Sequence, residues 1–300
     1  MRHCKLKELT FGIQIGLFNK LSKEAKEEKM KKYEILKNSS IELYGKTLYR
    51  IQALIDFADV KAGDIGGYIQ SEENLSHEGN AWVAENAKVY DDAKVFENAK
   101  VYGNAEVSCG AIVYSSAKVY DYAKLYGETE VCGNTEVHGF VVLYEHAEVF
   151  ENAEVSGRVV LSGYAKVGGD AKVSDYAKVY GNAKVIGESK VYDHAEVFCD
   201  TEVSGSAKVF GSVQVNGSAL ISGDAEVSEL GDYIVFKNNW SSGRHFTYTR
   251  SNKMWKAGCF YGTGEELVKK AYEDSELSGK NYSLYVELVK NLEKNLQEEK

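Results

Sequence analysis

The chain has 300 residues, 44% of them hydrophobic and 27% charged, with a formal net charge of −9. That length holds one large domain or two smaller ones with a buried core, and no run approaches the roughly 18 apolar residues of a membrane helix. The five cysteines, Cys4, Cys109, Cys132, Cys199 and Cys259, are odd in number and show no CxxC spacing, which points away from a disulfide framework and from a zinc site.

In the first segment, residues 1–29, the apolar run from Leu9 to Phe18 is broken by Gly12, Gln14 and Gly16 and is followed by no small-residue cleavage site. A cytoplasmic location is therefore expected. Lys20 to Lys29 is dense in Lys and Glu, so this segment reads as a helical or flexible extension. Residues 30–82 read as an N-terminal cap. Tyr33 to Leu36 and Thr47 to Phe57 have strand character about a turn at Asn38-Ser39-Ser40, and Gly63 to Gly67 reads as a tight loop. Ile69 and Leu75 are placed to begin the first coil of the element that follows.

From Val83 to Val227 every sixth residue is Val, Leu or Ile, at 25 consecutive positions. Four residues after each of the first 24 stands Ala, Ser, Thr or Val. Each unit, such as Ala87-Lys88-Val89-Tyr90-Asp91-Asp92, therefore alternates inward small and aliphatic residues with outward polar ones, and ends in two corner residues. Gly fills 13 of the 24 first-corner sites, where a positive φ is easiest. Six-residue sides close most simply as triangles of 18 residues, stacked at about 4.8 Å. Residues 83–228 are thus expected to form about eight coils. The sequence contains no proline, as suits a backbone that pairs nearly all its amides.

This hexad pattern resembles the left-handed parallel β-helix superfamily of hexapeptide-repeat proteins, whose founding members are acyltransferases. The stretch from Ala53 through Asp56, Asp64, Gly66-Gly67-Tyr68 and Ile69 to Asn74-Leu75-Ser76 is similar to the opening of bacterial and phage hexapeptide-repeat proteins labelled putative acetyltransferases. The resemblance implies an all-β solenoid of eight to nine triangular coils, left-handed, and places the usual start of such chains at Met30. An acyltransferase of this kind would use a histidine base in a cleft between subunits. The candidates are His138, on an outward strand position, and His146, with His194 at a further corner. No loop leaves the coil between Val83 and Val227, and none of these histidines has a visible orienting partner in the sequence, so a non-enzymatic role without cofactor is expected.

Residues 83–228 carry 11 Lys and one Arg against 22 Asp and Glu, a net of −10. Between Leu125 and Val155 there is no Lys or Arg, while Glu128, Glu130, Glu136, Glu145, Glu148, Glu151 and Glu154 crowd together. An 18-residue coil stacks Glu130 on Glu148 and Glu136 on Glu154, which costs stability and marks Glu130, Glu136, Glu145, Glu148, Glu151 and Glu154 as candidate partner-binding residues. The outward row one residue after each aliphatic is aromatic at 12 of 25 positions, and its Tyr126 and Tyr144 join the candidate surface. A rod of this charge fits a protein partner, with a basic nucleic-acid-binding enzyme of a host the sharpest version: a phage-borne, DNA-mimicking or anti-CRISPR inhibitor. Self-assembly through the aromatic sides is a structural alternative.

Residues 229–300 read as a C-terminal α+β piece that caps the rod or binds a partner. Tyr233–Phe236, Arg244–Thr249 and Met254–Phe260 are expected as a three-stranded meander, followed by a helix capped by Thr263 and Glu266 and by a final helix with Leu284, Leu288, Leu292 and Leu296 on its apolar face. Trp240, Arg244, Tyr248, Arg250 and Trp255 mix basic and aromatic residues as nucleic-acid surfaces do, and form a secondary candidate surface.

Overall fold

The computed structural model describes residues 31–298; the expected extension over residues 1–29 and Met30 lie outside them. Each hexad folds as a two-residue strand, from β4 (Trp82–Val83) to β28 (Glu226–Val227). Strands 18 residues apart pair in parallel, so that Val119 lies between Val101 and Val137. The result is a parallel β-solenoid of about 9 turns with three ladders. Face A runs from Lys88–Val89 to Gln214–Val215, face B from Lys94–Val95 to Leu220–Ile221, and face C from Trp82–Val83 to Glu226–Val227. The aliphatic row is buried throughout, with Val95 its most exposed member at 1%.

The corners explain the glycines. All 24 first-corner residues have φ between 55° and 82°, the eleven that carry a side chain as well as the glycines. Many of those eleven are acidic, and several offer their carboxylate to an amide that the backbone ladder leaves out. Glu85 accepts from Gly103 N–H at 2.9 Å, Glu97 from Ser115 at 3.0 Å and Glu145 from Gly163 at 2.6 Å, each one coil further on. Such a bond offsets part of the cost of a left-handed non-glycine residue.

The N-terminal cap extends face A. A hairpin of β1 (Tyr33–Leu43) and β2 (Lys46–Ala53) pairs with β3 (Ile65–Ile69), and Ile69 pairs with Val89 of the rod. The turn falls at Tyr44-Gly45; of Asn38 to Ser40, expected as the turn, Asn38 and Ser39 instead lie with Lys37 in a bulge inside β1, and Ser40 pairs with Tyr49. Gly66 and Gly67, expected in a loop, are strand residues. A Cβ at Gly66 would lie 2.6 Å from Ile51 Cγ1 and from the Val83 carbonyl oxygen, so glycine is required there by close packing rather than by a turn. Leu75 bridges to Val95, as expected of the first coil. Lys32 plugs this end: its ammonium donates to the Ala81 carbonyl at 2.8 Å, and burial lowers its pKa to about 8.

At the other end, β29 (Tyr233–Lys237), β30 (His245–Thr249), β31 (Met254–Ala257) and β32 (Phe260–Gly262) form an antiparallel sheet under α1 (Gly264–Asp274) and α2 (Glu276–Glu298). The expected third strand is therefore a hairpin, split at Gly258-Cys259. Thr263 caps α1 through the reciprocal bonds expected of it with Glu266. In α2 the leucine stripe faces solvent, with Leu284, Leu288, Leu292 and Leu296 39–65% exposed. The packed face is Tyr282, Tyr285, Val286 and Val289, whose 3, 4 and 7 spacing follows the helix better than a strict four-residue repeat. Thr247 Oγ1 and Ser251 Oγ accept the N–H groups of Leu220 and Glu226 on the last coil, so this module caps the rod. Among the described residues no helix is long and apolar enough to cross a membrane.

Candidate docking surface on the rod

The coil distributes the acidic cluster around the rod rather than along one side. Glu130 and Glu148 lie on face B, Glu136 and Glu154 on face C, Glu145 at the corner between faces A and B, and Glu151 at the corner between B and C. Tyr126 and Tyr144 lie on face A. The expected like-charge pairs are in register, Glu130 on Glu148 and Glu136 on Glu154. The expected cost is reduced because lysines from neighbouring coils meet three of the four carboxylates, all but Glu130. Lys118 reaches Glu136 at 2.8 Å, Lys172 reaches Glu154 at 2.6 Å, and Lys166 donates to both Glu148 oxygens. The Lys118 ammonium accordingly holds the Glu136 carboxyl below its ordinary range. These partners stand 18 residues from their glutamates, a signal the linear basic-free stretch conceals.

A second group of carboxylates has no lysine or arginine partner among the described residues. Glu128 faces His146 Nδ1 at 3.3 Å, Glu130 accepts the Tyr114 hydroxyl, and Glu145 holds the Gly163 amide. All three lie at or beside the edge between faces A and B. On the face A side of that edge the outward row, elsewhere Lys, Glu or Gln, is apolar at two successive rungs, Val142 and Val160. Tyr144 is 38% exposed and Tyr164, at the corner, 58%. His146 stacks on Tyr164 with ring centroids 4.7 Å apart. Face A's far edge carries a second ladder. There Tyr122 stacks on Phe140, itself 55% exposed, and Arg158 lies over both Phe140 and Tyr176. Glu128, Val142, Val160 and Tyr164 complete a surface of which only Tyr126, Tyr144, Glu130 and Glu145 stand out in the sequence.

Most of the aromatic row serves the ladder. Tyr102, Tyr120 and His138 form one stack with spacings of 4.8 and 4.7 Å, and Tyr180 stacks on Phe198 at 4.8 Å. His138 has a carboxylate on each side, Asp121 3.7 Å from its Nδ1 and Glu154 3.8 Å from its Nε2, both beyond hydrogen-bond distance. His194 stacks on Tyr176. These histidines sit on the outside of the coil.

The secondary candidate surface is largely an interior. Trp255 and Tyr248 are core residues of the C-terminal module, turned inward by alternation along β30 and β31, and Trp240, in the turn between β29 and β30, packs on Phe246, Tyr282 and Tyr285. Arg250 pairs with Glu293 at 2.9 Å. The basic and aromatic residues therefore occupy different layers, unlike the interleaved surface their sequence order implies. No protein-family model matches the chain, and no curated protein matches it in sequence.

Proposed function

We propose that this protein is a non-catalytic binding protein that docks a basic protein surface along the edge between faces A and B. The carrying observation is the juxtaposition there of lysine-free carboxylates, Glu128 and Glu130, with exposed Tyr144 and Tyr164 and half-buried Val142. Aromatic side chains on a rigid support lose little entropy on binding, and neighbouring carboxylates select a basic partner and speed its approach. In its most specific form the partner is a nucleic-acid-binding enzyme of a host cell, and the protein a phage-encoded inhibitor of the anti-CRISPR kind. The rod's net charge of −10, carried on all three faces, supports that form. The hexad register likewise supports a left-handed hexapeptide-repeat β-helix.

Affinity capture from bacterial lysate tests the reading. A specifically retained basic protein should be lost from a Glu128→Lys, Glu130→Lys, Tyr164→Ala variant and kept by a control Glu188→Lys, Glu202→Lys variant. Equal retention by both, or no retained basic protein, contradicts it. The enzymatic alternative, an acyl-CoA-dependent acyltransferase, draws support from the carboxylates beside His138 and requires stabilisation of the protein by coenzyme A.

A further inference from the structure

The C-terminal module contains a cleft of about 420 Å³ between β30–β31 and the two helices. Two aromatic donors line it. Tyr248 is 5% exposed and Trp255 2% exposed, yet neither the Tyr248 hydroxyl nor the Trp255 indole N–H has a hydrogen-bond partner among the described residues. The little surface these two residues keep therefore leaves both donors open to water or to a ligand in the cleft they line. Trp240 Nε1, by contrast, is unpartnered and out of contact with solvent. Burial, with Glu293 nearby, pushes the Tyr248 hydroxyl up to about 12, so at neutral pH it remains a donor.

The rest of the lining carries three lysines, Lys253, Lys290 and Lys294, against two carboxylates, Glu265 and Glu293. Gly264 opens α1 and lines the cleft, which places the start of that helix, where the first amides lack intrahelical partners, at its wall. Any side chain at Gly264 would close that wall, since a Cβ would lie 2.8 Å from Val286 and 3.2 Å from Trp255 Nε1. Lys253 at the rim has no carboxylate partner among the described residues. The two carboxylates of the lining are each ion-paired through one oxygen, Glu265 with Lys290 at 2.6 Å and Glu293 with Arg250 at 2.9 Å. Tyr248, Trp255 and Lys253 thus bring a hydroxyl, an indole N–H and an unpaired ammonium to one cleft, beside the apolar side chains of Val286 and Val289.

We propose that this cleft binds a small oxyanion, a phosphate monoester or a carboxylate, whose apolar part lies on Val286 and Val289. The site is separate from the docking edge of the rod and stands or falls independently of it.

The full chain labelled with [15N]tryptophan gives three indole signals, from Trp82, Trp240 and Trp255, and Trp255→Phe identifies the third. Titration with phenyl phosphate or phenylacetate should move the Trp255 signal saturably and leave Trp82 in place. The probe that acts at lower concentration tells phosphate from carboxylate. Inorganic phosphate should bind about tenfold more weakly than phenyl phosphate. Tyr248→Phe, which removes a hydroxyl that holds nothing in the folded chain, and Lys253→Ala at the rim should each weaken binding about tenfold, while Lys237→Ala changes nothing. No saturable shift at tens of millimolar, or unchanged affinity in both cleft variants, would overturn the site. Equal binding of phenyl phosphate and inorganic phosphate would overturn the role of the apolar wall.

Discussion

Ala183 and Lys184 are neighbours in sequence and opposites in the coil. Ala183 is fully buried in the small inward row, and Lys184 is exposed on face B without a carboxylate partner among the described residues. Replacing each by Leu therefore makes nearly the same sequence change on the two sides of one strand. At Ala183 the three carbon atoms that leucine adds would gain about 2 kcal/mol from burial if space existed, at roughly 0.8 kcal/mol per methylene. The site offers no such space. Val185 fills the same strand, and the inward column continues through Ala165 and Thr201, all at most 1% exposed. Overpacking in a dense interior costs about 1–3 kcal/mol net, so the strain must exceed the burial gain and push the coil apart. At Lys184 the change should stay within about 0.5 kcal/mol. Urea denaturation followed by circular dichroism gives both values. A lower midpoint for Ala183→Leu alone is expected. Equal midpoints, or a more stable Ala183→Leu variant, would refute the inward and outward assignment and with it every surface described above.

Other outcomes follow from single contacts. Thr129 Oγ1 and Thr135 Oγ1 are buried in the rod without a partner, so Thr129→Val and Thr135→Val should each raise stability by about 1 kcal/mol in the same assay. Glu145→Ala strips the cap from the Gly163 amide and should lower it by about 1 kcal/mol, more than a comparable change at Glu151, for which no such bond exists among the described residues. Glu136 and Glu196 have carboxyls held below their ordinary range by Lys118 and Lys178. A depressed folded pKa adds stability above the unfolded value, near pH 4.3, which is lost as pH falls through the folded one. The urea midpoint should therefore drop below about pH 4.5, and less steeply in high salt. If the rod is not an acyltransferase, millimolar coenzyme A leaves the melting temperature unchanged; a clear rise would favour the enzymatic alternative.

The solenoid was legible because one hexad repeats 25 times and each copy votes for the same register. Where a feature occurs once, local patterns misled. Asn38-Ser39-Ser40 has turn composition but runs through a bulge, because the pairing of Leu36 with Arg50 and Ser40 with Tyr49 sets the hairpin and leaves Lys37, Asn38 and Ser39 between them. Gly66-Gly67 looks like a loop, yet its purpose is contact with Ile51, Trp82 and Val83. The acidic cluster was visible as composition but not as a surface. Counting by 18 separates Glu130 and Glu148 from Glu136 and Glu154, and finds Lys118, Lys166 and Lys172 waiting one coil away. The cleft could not be read at all, since Tyr248, Trp255, Lys253 and Gly264 come together only when the hairpin meets both helices.

Carboxyl footprinting tests the docking edge most directly. The protein would be labelled with glycine ethyl ester alone and in its complex with the retained basic partner, and modification measured by mass spectrometry at each glutamate. Glu128 and Glu130 should lose reactivity in the complex while Glu188 and Glu202 keep theirs. Unchanged labelling of Glu128 and Glu130, or protection at Glu188 and Glu202 instead, would contradict it.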